Sequence, residues 1–163
     1  MRFKRQLTAL AGVLALGIGL EGAQAQTATQ TVTFSVVPLS RVAVSGPMGP
    51  IVVSAASAGS APTSATMGGT TYAITTNESN QKISAALDQP MPPGVSLAVA
   101  LAAPSGAASA GSTTLGTASA DVVTGIFAVN ASSLAIVYRL SATATAPVAP
   151  GTRTVTFTIS AGQ

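Results

Sequence analysis

Cysteine, histidine and tryptophan are all absent from this sequence of 163 residues. Without cysteine there is no disulfide, no thiol nucleophile and no thiol for a lipid anchor. Without histidine a Ser-His-Asp triad cannot be built, and zinc or copper would lack their usual ligands. The aromatic residues are two tyrosines and four phenylalanines. That is too few for the aromatic platforms common in sugar-binding modules, or for the aromatic girdles of an outer-membrane barrel. Charge is scarce too, at 7% of residues. No basic patch exists to hold a nucleic acid backbone.

Enzymatic chemistry would have to rest on carboxylates or on a serine–lysine pair. Past the N-terminal stretch the only acids are Glu78, Asp88 and Asp121, and the only lysine is Lys82. A glycosidase needs two carboxyl groups facing each other across a sugar, and calcium needs several clustered oxygens. These three acids are scattered over expected turns, where they read as turn or cap residues. Lys82 reads as a solvated surface lysine at the start of a strand. The expectation is a protein that is not an enzyme and holds no cofactor or metal.

The sequence opens MRFKRQLTALAGVLALGIGLEGAQAQ. Three basic residues precede an apolar run interrupted by glycine, and Ala23-Gln24-Ala25 follows as a cleavage site. This is the layout of a secretory signal peptide over residues 1–25, and the apolar run is short for a membrane span. Cleavage would leave 138 residues, Gln26 to Gln163, with four basic residues against three acidic ones, a net charge of +1. That length suits one domain with a single core and no disulfides. Serine, threonine, alanine and glycine dominate, so neighbouring copies repel one another weakly and self-association is expected.

Hydrophobic periodicity is two almost throughout. Val32, Phe34 and Val36 alternate with threonine and serine, as do Val155, Phe157 and Ile159, and such alternation marks half-buried strands. Pro38 interrupts the first run and Val42 and Val44 resume its parity, which predicts one kinked edge strand. Further strands are expected at Pro50–Ser54, near Ser64–Met67, at Thr70–Thr76, Lys82–Leu87, Val95–Ala102, Ser112–Ser119 and Leu134–Ala144. Asn77–Gln81 reads as the turn of a hairpin. Pro93-Gly94 suits the centre of a type II turn. Asp121–Gly125 breaks the alternation and reads as one helical turn stopped by Gly125. The total is eight or nine short strands separated by Gly/Pro/Ser turns. That predicts an all-β fold, an antiparallel β-sandwich.

One internal echo stands out. Thr29–Val36 reads TQTVTFSV and Thr152–Ile159 reads TRTVTFTI. Two terminal strands in similar surroundings would explain it, since first and last strands can pair in parallel in immunoglobulin-like folds. Strand exchange would explain it as well: the uncharged N-terminal segment, freed by cleavage, could fill an equivalent groove in a neighbour. A chance match is the third explanation. For exchange, Val32, Phe34 and Val36 form the donor side, and Val155, Phe157 and Ile159 lie along the receiving edge. Arg153 and Pro38 are the only evident guards against edge pairing.

The signal peptide, the threonine-rich end strands and segments such as TTNESNQKISAAL and YRLSATA give the chain a resemblance. It resembles small, cysteine-free, secreted bacterial surface proteins with pilin-like or immunoglobulin-like sandwiches. The resemblance implies the sandwich and an extracytoplasmic location, in the periplasm, at the cell surface or secreted, and it carries over no functional residue. The leading expectation is a non-enzymatic structural protein that assembles with itself through its end strands. The alternative is a monomeric binding module or adhesin that uses its loops at residues 54–69 and 104–111. No nucleic acid partner and no membrane span after signal cleavage are expected.

Overall fold

The computed structural model describes residues 26–163, so the expected signal peptide lies outside the described residues. The described residues contain nine strands and no helix. The strands are β1 (Ser40–Val44), β2 (Ala65–Thr76), β3 (Gln81–Leu87), β4 (Val95–Leu101), β5 (Ala108–Ser109), β6 (Thr113–Thr114), β7 (Ala120–Ile126), β8 (Val129–Ala142) and β9 (Val155–Ala161). They form a five-stranded sheet in the order β1-β2-β8-β4-β6 and a four-stranded sheet in the order β5-β7-β3-β9. Every pairing is antiparallel.

The period-two pattern explains the core. Tyr72 and Ile74 of β2, Leu97, Val99 and Leu101 of β4, and Ile136 and Tyr138 of β8 are buried from the first sheet. Ile83, Ala85 and Leu87 of β3 and Val122, Val123 and Ile126 of β7 are buried from the second. All belong to one hydrophobic cluster, so the two sheets share one core in a sandwich-like arrangement. Threonine, serine and alanine occupy the alternate positions, where strand propensity is served without a large apolar side chain. Tyr72 sits in the middle, and its hydroxyl donates to the carbonyl of Ala102 at 2.5 Å. A buried phenol has a place in an apolar core only with such a partner.

From β3 onward, each strand lies in the sheet opposite to that of its predecessor. The Asn77–Gln81 segment is therefore not the turn of a hairpin. β2 pairs with β1 and β8, whereas β3 pairs with β7 and β9. Turn-forming residues signal that the chain changes direction. They do not say which sheet the next strand joins. The proline-rich segment after β3 crosses to the first sheet, and Pro93-Gly94 forms the expected turn in it: the amide of Val95 donates to Pro92 at 3.0 Å, with Gly94 at φ 78°.

Three other expectations fail. Asp121–Gly125 is part of strand β7, not a helical turn. The pairing of β3 with β7 shifts register around Ile83, and this irregularity lets the adjacent Val122 and Val123 both enter the core. A bulge breaks alternation just as a helix does. Pro50–Ser54 forms no strand. Thr31–Val36 forms none either, and Phe34 is 88% exposed rather than packed in the core. Only the part after Pro38 is a strand, β1, at the edge of the first sheet. The chain divides into compact units between Ser35 and Val36.

Candidate functional site

The two flanks of the sheet pair are finished differently. On one flank the chain from β5 to Gly116 passes from the second sheet to the first. The amide of Ala110 donates to Val122 at 2.9 Å and the amide of Leu115 to Leu97 at 2.8 Å. The carbonyl of Gly116 accepts from Leu87 at 2.8 Å, and the Leu115 side chain is buried in the core cluster. One short segment thus binds both sheets and plugs the gap between them. The loop at residues 104–111 belongs to this closure: Ala107 donates back to Pro104, and the Ser109 hydroxyl donates to Leu101 at 2.7 Å.

On the opposite flank no segment among the described residues hydrogen-bonds to both sheets, although Met48 and Ile51, which follow β1, pack against the core. β1 is the edge of one sheet and β9 the edge of the other, and the two strands approach each other. No backbone hydrogen bond joins them among the described residues. The parallel pairing of first and last strands expected for similar end strands is therefore not formed. Among the described residues β9 pairs with β3 alone, in the register Val155 with Leu87 to Ala161 with Gln81. Its other side presents unpaired backbone amides and carbonyls, which can accept a further strand.

Val155, Phe157 and Ile159 lie on the core side of β9 and are half-buried, as is Val42 of β1. They form the apolar rim of the open flank. Val155–Ala161 carries no charge. Arg153, the expected guard, is turned elsewhere: its Nε donates to the carbonyl of Pro90 at 2.9 Å and its Nη1 to that of Thr152 at 2.7 Å. The donor residues are brought to no partner. Val32, Phe34 and Val36 are exposed at 73%, 88% and 80%.

The loop between β2 and β3 holds both ends of the strand framework. The side-chain carbonyl of Asn77 accepts from the amide of Leu39 at 2.7 Å, and its side-chain amide donates to the carbonyl of Val37 at 2.9 Å. The backbone amide of Asn77 donates to Leu39 at 3.1 Å. Ser40 donates to Glu78 at 2.8 Å and lies 2.8 Å from the Thr76 hydroxyl. At the other terminus Gly162 donates to the carbonyl of Asn80, and a Cβ at Gly162 would lie 2.7 Å from that oxygen. Sequence reasoning assigned these asparagines only to a turn. An asparagine directly after a strand end was the available signal, since its side chain can imitate a backbone amide.

Asp88, Lys82 and Asp121 are tied into local structure. Asp88 accepts from the amide of Thr154 at 2.9 Å. Lys82 and Asp121 form an ion pair of 3.0 Å on the outer face of the second sheet. Among the described residues no three acidic side chains cluster. No helix among them is long and apolar enough to cross a membrane.

The fold defines an all-β class: two antiparallel sheets on one core, closed on one flank and open on the other. No protein-family model matches the chain, and no curated protein or solved structure matches it.

Proposed function

We propose that this chain is a non-enzymatic extracytoplasmic structural protein that assembles with copies of itself by β-strand addition. The observation that carries the reading is the open flank. β9 has an unpaired, uncharged edge with an apolar rim, while the opposite flank is sealed. The natural occupant is the segment Gln26–Val36 of a second copy, whose TVTFSV pattern matches β9's own TVTFTI. An incoming strand adds backbone hydrogen bonds along β9, and its alternate side chains fill the gap between the sheets. Burying Val32, Phe34 and Val36 contributes about 1.5–3 kcal/mol for each side chain. An immunoglobulin-like or pilin-like sandwich is the architecture this assembly would complete. Signal cleavage after Ala25 and a periplasmic, cell-surface or secreted location belong to the same proposal.

The test is the solution mass of residues 26–163 by light scattering over a concentration series. Oligomers that disappear when residues 26–36 are deleted support the proposal. A monomer at every concentration refutes it and directs attention to the segment before β2, residues 54–64, as a ligand surface.

A further inference from the structure

Asn77 does more than end β2. The β1–β2 ladder pairs Ser40 with Thr76, so the next rung would pair Leu39 with Asn77. The backbone amide of Asn77 makes its half of that rung. The other half comes from the Asn77 side chain, which accepts from Leu39 and then reaches on to donate to Val37. One side-chain amide thereby binds residues 37 and 39 as a neighbouring strand would, one residue on either side of a proline that has no N–H to offer. The line of β1 is continued to Val37, beyond the start of the ladder.

The direction of that line matters. β1 begins beside Thr76 and runs away from the Asn77–Asn80 loop, and β9 ends beside Gln81 at the same loop. The line of β1, continued backward through Val37, points past this end of the sheets. A turn back toward β9 within residues 37–39 would break both Asn77 side-chain hydrogen bonds.

We propose that Asn77 is a positioning residue that directs the N-terminal segment outward, so that it fills the β9 edge of a second copy and not its own. The inference rests on the assembly reading above. Its test uses residues 26–163 carrying Ser35→Cys and Thr158→Cys, joined by a flexible bismaleimide, with products separated by mass. Intermolecular product is expected to dominate. Adding Asn77→Ala removes both side-chain hydrogen bonds and should lower the ratio of intermolecular to intramolecular product about tenfold. Asn77→Asp keeps the acceptor for Leu39 but cannot donate to Val37, and should lower it by less. It also decides the matter if Asn77→Ala does not fold by circular dichroism. An unchanged ratio in a folded Asn77 variant, with ladders still formed, overturns the role of Asn77 and leaves assembly standing. Absence of intermolecular product in the parent overturns assembly itself, and the role of Asn77 with it.

Discussion

Tyr72 offers a sensitive probe of the core. Its ring is 2% exposed between the two sheets, and burial pushes its pKa up to about 12 from the ordinary 10.0. The folded protein therefore holds this proton more tightly than the unfolded chain. Stability linked to it is complete below pH 10 and is lost as the pH rises toward 12. A shift of two units corresponds to about 2.7 kcal/mol, an upper figure for the loss across that window. Tyr138, also raised by burial, adds to the loss in the same direction. The chain has two tyrosines and no tryptophan, so tyrosinate absorbance near 295 nm reports these two groups alone. Native protein at pH 10.5 should show less tyrosinate than the unfolded chain, and ionisation of Tyr72 should coincide with unfolding. Tyr72→Phe should cost about 0.5–1.5 kcal/mol at neutral pH, because the hydrogen bond from the buried phenol to the Ala102 carbonyl is lost. The same variant should flatten the alkaline loss, so the two stability curves converge above pH 11. A reversible titration of both tyrosines near pH 10 in folded protein would refute the reasoning.

Leu115→Ala should destabilise by about 2–5 kcal/mol in urea unfolding, since it empties the plug of the sealed flank; a cost below about 1 kcal/mol would show that the flank is closed by something else. Gly94→Ala should be strongly destabilising in thermal melts, because φ is 78° and a Cβ would lie 2.5 Å from the Thr143 hydroxyl oxygen; unchanged melting would contradict that turn. Native protein should resist trypsin, because Arg41, Lys82 and Arg139 lie within strands and Arg153 is held by Pro90 and Thr152. Rapid digestion to small peptides would count against the packed core.

What the sequence disclosed depended on how each residue meets its neighbours. Val95–Leu101 and the Leu134–Leu140 part of β8 were legible because alternation there is unbroken and one face is buried. β7 was not, because two adjacent valines share the core at an irregular pairing. The segment at residues 31–36 has the composition of a strand but no strand partner among the described residues, and composition reports propensity, not pairing. The inward face of β9 was legible as Val155, Phe157 and Ile159. The plug was not, since Leu115 is a single apolar residue in STTLGTAS and its burial depends on two sheets being in place. The role of Asn77 required knowing that β1 and β2 are neighbours.

The order of strands has a consequence for how the chain is made. β2 and β4 do not touch through their backbones until β8 arrives between them, and both neighbours of β3, β7 and β9, come later in the sequence. A ribosome that has released the first hundred residues has released β1 and β2, which pair with each other, and β3 and most of β4, whose partners all come later. Folding must wait for the C-terminal third and then gather distant segments, which is slow. A chain with that timetable stays threadable until synthesis is nearly over, the state in which an export channel would have to receive it if residues 1–25 direct it there.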